Sequence, residues 1–150
     1  MHRYLSLALF LLIVLGGGLA IGYATLPGDW YAGLAKPAFN PPNWVFAPVW
    51  SLLYICIALA GWRIWRAGKS APLKPLWIGQ LILNFLWSPV FFGLRLPGPA
   101  LVVILALLAT ILVFIARAWN RDRIAAWLFI PYAAWVAFAS LLNAAIVRLN

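Results

Sequence analysis

Three tryptophans, Trp50, Trp87 and Trp135, stand well inside runs of sequence that carry no charged residue. At 1.5 Å per helical residue they lie about 9 Å below Trp44, 12 Å below Arg95 and 18 Å below Val147. The few polar groups around them are periodic. Gln80, Asn84 and Ser88 fall at i, i+4 and i+8; Trp135, Ala139 and Asn143 repeat that spacing, as do Phe46, Trp50 and Tyr54. Residues four apart share one helix face, so each triplet is a polar or aromatic stripe. An unpaired amide is costly in hydrocarbon, which turns these stripes inward, toward each other or toward a guest. Large flat rings beside the Asn84 amide suit a flat hydrophobic ligand better than close helix contact, which favours small residues. Gln80 and Asn143 read first as hydrogen-bond partners between helices.

Conventional catalysis is hard to assemble from the remaining residues. The only carboxylates are Asp29 and Asp122, too few and too far apart for paired-acid chemistry, and neither H-E-x-x-H nor G-x-S-x-G occurs. No catalytic residue and no metal site is expected. A single cysteine, Cys56, excludes an intrachain disulfide and any multi-cysteine metal site.

The elements that must carry the stripes follow from composition. Of 150 residues, 67% are hydrophobic and 9% charged, too few polar side chains to cover a water-soluble globule. Charge at the bilayer centre costs about 2.5 to 3.5 kcal/mol per residue, so charge-free runs mark membrane spans. There are five: Tyr4 to Gly28, Pro37 to Trp62, Pro75 to Leu94, Leu96 to Ala116, and Ile124 to Val147. Prolines trim their edges, with Pro41, Pro42 and Pro48 delaying the second helix and Pro97 and Pro99 opening the fourth. The expectation is an all-α membrane protein, a single five-helix transmembrane domain over residues 1–150, with helices near 4–25, 44–66, 75–94, 97–118 and 123–147 and a long first loop at 26–43. The first run also has features of a secretory signal, but Leu5 to Ala24 is longer than a signal's apolar segment and spans a bilayer.

The net charge of +9 would suggest nucleic acid in a soluble chain; here the cations sit between apolar runs, and no nucleic-acid partner is expected. Five spans put Arg3, Arg63, Arg66, Lys69, Lys74, Arg117, Arg121 and Arg123 on one face and only Lys36, Arg95 and Arg148 on the other. That asymmetry places the N-terminus in the cytoplasm of a bacterial inner or plasma membrane, with an outer-membrane location left open. Seven further tryptophans, Trp30, Trp44, Trp62, Trp65, Trp77, Trp119 and Trp127, fall near span ends and read as an interfacial belt. Gly16, Gly17, Gly18, Ala20 and Gly22 make a close-packing surface for a neighbouring helix or a second chain.

Three segments carry a family resemblance. They are Trp30-Tyr31-x-x-Leu34-x-Lys36-Pro37-x-Phe39-x-Pro41-Pro42-x-Trp44-Val45-Phe46-x-Pro48-Val49-Trp50; Gln80-Leu81-x-Leu83-Asn84-x-x-Trp87-Ser88-Pro89-x-Phe91-Phe92-Gly93; and Pro131-Tyr132-x-x-Trp135-x-x-Phe138-Ala139 followed by Leu142-Asn143 and Arg148. Together these resemble the tryptophan-rich sensory protein family, the bacterial relatives of the translocator protein or peripheral benzodiazepine receptor. The resemblance implies a homodimeric five-helix receptor or sensor in membrane lipid. It would bind porphyrins such as protoporphyrin IX, haem, and other hydrophobic small molecules including benzodiazepine-type ligands, in a pocket capped by the first loop. Carried onto this chain, Tyr31, Pro41, Phe46, Trp50, Tyr54, Asn84, Trp87, Trp135, Phe138 and Ala139 fall on ligand-binding positions. It also implies light-dependent porphyrin breakdown in which Trp50 and Trp135 are the redox-active indoles. The animal proteins' sterol motif needs a tyrosine where Ala144 and Ala145 stand, which argues against tight cholesterol binding.

No cofactor is required by this reading; the porphyrin is the ligand. Met1 and His2 sit at the start of the chain and Cys56 deep in the second run, so axial haem ligands are not evident and a metal-free porphyrin fits better. Its propionates would meet Lys36, Arg95 or Arg148, unless these are ordinary interface charges. The competing function is transport of tetrapyrroles or other hydrophobic molecules, against which stands the lack of any acidic residue within a span.

Overall fold

The computed structural model describes residues 2–150; Met1 lies outside the described residues, as do the burial of Gly68 and the side chain of Lys69, the last counted above among the basic-face cations. Five helices are long and apolar enough to cross a membrane: His2–Ala24, Asn43–Arg66, Ser70–Gly93, Pro97–Ala118 and Arg123–Leu149, numbered here as spans 1 to 5. No strand occurs among the described residues. The protein is an all-α membrane bundle.

Span 3 begins before Pro75, because a 3-10 segment at Gly68–Leu73, with Pro72 inside it, runs directly into the helix at Lys74. Span 5 continues through Arg148 to Leu149, with the Arg148 side chain exposed while the backbone stays helical. Two wide turns interrupt otherwise regular helices. One, Leu12–Gly16, ends on the first of the span 1 glycines. The other, Pro89–Gly93, ends span 3 where Pro89 has no N–H to give the preceding turn, and the Leu94 N–H bonds back to the Pro89 carbonyl at 2.8 Å. The link to span 4 turns on Arg95, whose φ of 58° is unusual for a residue with a Cβ.

Around the bundle the spans neighbour one another in the order 1, 2, 5, 4, 3, and the ring closes where Gly17–Ala24 meets span 3. Span 4 packs most extensively, against spans 5 and 3; in the core Ile57, Ile104, Phe114, Phe129 and Tyr132 are buried, and the Phe114 and Phe129 rings stack 4.1 Å apart. At the basic end, Asp122 caps span 5 by accepting from the Ala125 N–H and pairs with the Arg63 Nε at 3.1 Å. Trp77 is not a belt residue. It is buried, donates to the Ile57 carbonyl at 2.9 Å, and lies so close to Gly61 that a Cβ there would stand 2.5 Å from the indole. Proximity to a span end hid this, because only the neighbouring helix decides which end residues face inward.

Candidate functional site

At the end of the ring away from the Arg63–Asp122 pair, the five spans enclose a cavity of about 560 Å³. That volume is in the range of small-molecule sites. Eight of the ten residues singled out from the sequence line it: Tyr31, Phe46, Trp50, Tyr54, Asn84, Trp87, Trp135 and Ala139. Two do not. Pro41 belongs to the descending part of the loop, and Phe138 stands behind Trp135, ring centroids 5.6 Å apart, where it receives Phe39 of the loop at 6.1 Å. Phe138 falls one residue short of Ala139 in the Trp135, Ala139 and Asn143 stripe, and that is enough to turn it away, since neighbours differ by about 100° around a helix.

The aromatic walls are ordered by mutual contact. Trp50 stacks on Tyr54 at 5.6 Å and 29°, and meets Trp135 edge-on at 6.4 Å and 86°. Phe46 adds a further edge contact to Trp135 at 5.8 Å. Tyr54 can lie where it does because Gly18 of span 1 has no Cβ; one added there would run into the phenol ring. The close approach expected of the span 1 glycines is therefore made within the chain, at Gly18, whereas a Cβ on Gly22 meets nothing within 4 Å.

The polar groups divide into those held and those free. Tyr132 is the buried hub of one chain: Asn84 Nδ2 donates to its hydroxyl at 2.7 Å and the hydroxyl donates to Gln80 Oε1 at 2.8 Å. Trp87 Nε1 donates to Asn143 Oδ1 at 3.0 Å, and Asn143 Nδ2 donates to the Pro97 carbonyl at 2.8 Å. Thr25 and Ser88 join spans 1 and 3 on the cavity wall through a 2.6 Å hydroxyl contact. Trp135 Nε1 is different: it is buried with no partner among the described residues. An unpaired buried donor of this kind costs about 1 to 3 kcal/mol.

The loop closes the cavity's end. Its short helix, Asp29–Ala32, places Tyr31 against Phe91 and Phe92 at ring distances of 6.2 and 5.3 Å, and the Tyr31 hydroxyl points to Asn40 Oδ1 at 3.4 Å. Burial raises the Tyr31 pKa, opposed by the Asn40 contact, so the phenol keeps its proton at neutral pH. Lys36 ends that helix: its ammonium donates to the carbonyls of Tyr31, Leu34 and Ala32 at 2.8, 3.1 and 3.4 Å. All three of its donors are thus engaged, which removes it from the cations free to meet an acidic ligand group.

A profile of the TspO/MBR family matches residues 9–149. The chain belongs to the TspO/MBR family. It is 41% identical to the tryptophan-rich protein TspO of Archaeoglobus fulgidus over 150 aligned residues, covering 97% of each chain. It is 43% identical to the translocator protein of Bos taurus, covering 89% of this chain and 82% of that one. It is 36% identical to the tryptophan-rich sensory protein of Cereibacter sphaeroides, covering 95% and 92%. Like the TspO/MBR family as a whole, it is a multi-pass integral membrane protein.

Sequence reasoning missed the contributions of span 4 to this TspO/MBR fold, where Ile104 and Leu107 complete the cavity floor. An unbroken apolar run offers no signal that separates cavity-facing from lipid-facing positions. Phe91 and Phe92 were visible only as part of a motif; their contact with Tyr31 needed the loop to fold back over span 3.

Proposed function

We propose that the protein is a receptor or sensor that binds flat hydrophobic ligands, porphyrins foremost, within the loop-capped cavity. The observation that carries this reading is the unpaired, buried indole N–H of Trp135, a residue on the wall of a largely apolar space, beside the mutually perpendicular rings of Trp50 and Trp135. A planar guest with a polar rim would stack on one ring and accept from the other. Metal-free porphyrin is the preferred form. Neither Cys56 nor His2 lines the cavity, and of haem-ligating residue types among the described residues only tyrosines, Tyr31 and Tyr54 included, do. The names of the relatives, sensory protein and translocator protein, accord with small-molecule recognition. The basic end lies in the cytoplasm, by the positive-inside rule, and the loop faces outward.

The test is quenching of tryptophan fluorescence by protoporphyrin IX in wild type and Trp135→Ala. Loss of one aromatic wall and its donor weakens binding about tenfold. Equal titration curves for the two proteins would reject the site. In sealed vesicles, saturable binding without net porphyrin movement is expected of a receptor, and uphill movement of a transporter. Illumination of the complex adds a second step to this reading: dioxygen adds across one carbon–carbon double bond of the excited macrocycle and cleaves it to two carbonyls, both oxygen atoms entering the product, while Trp50 or Trp135 lends an electron that returns to its indole. Trp50→Phe and Trp135→Phe should each lose a product formed in air by the wild type; an unchanged product spectrum would remove the photochemical step while leaving binding intact.

A further inference from the structure

The loop between spans 1 and 2 satisfies almost all of its hydrogen bonds internally. Ala32, Gly33, Leu34, Asn40 and Val45 donate their backbone N–H groups within residues 28–42, and Lys36 and Asn40 side chains bond to loop carbonyls. Among the described residues, one side chain from elsewhere reaches in. Asn150, beyond the end of span 5, accepts from the Ala35 N–H through Oδ1 at 3.1 Å and donates to the Ala35 carbonyl through Nδ2 at 2.9 Å. This is a two-point pairing of the kind a neighbouring strand makes, formed by one side chain across 115 residues of separation. The same Nδ2 also donates to the Ile146 carbonyl at 2.8 Å, which fixes the amide's rotation on the helix end.

The position of Ala35 gives the pairing its consequence. On one side, Trp30 and Tyr31 are docked on Phe91 at ring distances of 5.9 and 6.2 Å; on the other, Phe39 rests on Phe138. Between these aromatic supports Leu34 packs against the cluster of Phe91 and Ile146, and among the described residues the only hydrogen bonds to another part of the chain are those of Ala35 to Asn150. We propose that Asn150 is the latch of the cavity's lid, a positioning residue that sets how often residues 29–42, whose Tyr31 lines the cavity, lift and open that end to the aqueous side. The ligand-binding reading above is deepened by this role but is needed for only one of its two measurements. Asn150 itself is exposed and lines no part of the cavity, so its replacement leaves the ligand's contacts in place.

The experiment uses the full chain in lipid nanodiscs. A reporter cysteine, Ala139→Cys, is placed on the cavity wall with Cys56→Ser removing the native thiol, and the rate of modification by a charged methanethiosulfonate is measured with and without Asn150→Ala. Modification is expected to accelerate about tenfold, the low end for the two exposed hydrogen bonds to Ala35 lost from the closed state. Asn150→Asp sets a carboxylate oxygen against the Ala35 and Ile146 carbonyls, and should open the lid at least as often as Asn150→Ala. An unchanged rate in Asn150→Ala overturns the latch whatever the ligand is. The second measurement is stopped-flow release of protoporphyrin IX from the native-cysteine protein, expected to quicken in Asn150→Ala by a similar factor with little change in thermal stability. If labelling accelerates but release does not, lid opening is not the exit step and the proposal fails there. If wild type binds no porphyrin, the ligand reading fails while the labelling result still decides the latch.

Discussion

Trp87 and Asn143 meet across spans 3 and 5, with the indole N–H 3.0 Å from the amide oxygen, and the amide nitrogen of Asn143 reaches on to the Pro97 carbonyl at the start of span 4. One amide therefore ties three spans together at the cavity wall and holds one of its indoles in a single orientation. Intramembrane hydrogen bonds average about 0.6 kcal/mol, with the strongest near 1.7.

Replacing Asn143 with Leu removes both bonds and leaves the Trp87 N–H and the Pro97 carbonyl unpaired. A loss of about 1 to 2 kcal/mol is expected in reversible unfolding from micelles. Protoporphyrin IX affinity should fall as well, because the Trp87 ring is no longer held. A variant as stable as wild type would show that Trp87 finds another partner.

Tyr132 and Gln80 should not be equivalent, although they share a bond. Tyr132→Phe breaks the contacts to both Asn84 and Gln80 in the buried core, whereas Gln80 Nε2 is already without a partner and Gln80→Leu removes that deficit along with one bond. Unfolding measurements are expected to show a cost of about 1 to 2 kcal/mol for Tyr132→Phe and a smaller one for Gln80→Leu. The reverse order would place the hub at Gln80.

Span 1 offers a contrast between two glycines of one motif. Gly18→Val drives a side chain into Tyr54 and through it into Trp50, which predicts about 1 to 3 kcal/mol of destabilisation and a distorted cavity. Gly22→Ala faces open space and should be close to neutral. Equal thermal shifts for the two would mean that Gly18 is not the packing position.

Arg95 occupies a left-handed backbone conformation between spans 3 and 4. Glycine adopts that conformation without the steric cost of about 1 to 2 kcal/mol that a Cβ incurs. Arg95→Gly should therefore raise thermal stability, whereas Arg95→Ala should not. If both variants lose porphyrin affinity to the same extent, the guanidinium meets a propionate; unchanged affinity identifies it as an interface charge.

Much of the architecture was legible from the chain because a bilayer makes a severe solvent. Charge-free runs such as Leu96 to Ala116 have no alternative but to span, and polar stripes such as Gln80, Asn84 and Ser88 have no alternative but to turn inward. The helix ends shifted where local chemistry was subtler than a charge boundary, as at Gly68–Leu73, where a 3-10 segment prolongs span 3 past Pro75. Trp77 was misplaced for the same reason that Ile104 was missed. Depth in the membrane can be counted along a sequence, but rotation about the helix axis depends on what packs against it.

Residue types and spacing by themselves determined that this is a five-span membrane protein with indoles and amides gathered in its loop-side half. Tertiary structure alone decided which of those groups are spent on one another. Asn143 is consumed by Trp87, Asn84 by Tyr132 and Lys36 by three carbonyls, and Trp135 is left with its donor unpaired. Hydrophobicity sums over a stretch of chain and can be read in one dimension; hydrogen bonds are made between particular atoms within about 3 Å, and only the packed bundle brings Asn150 to Ala35 or Trp87 to Asn143.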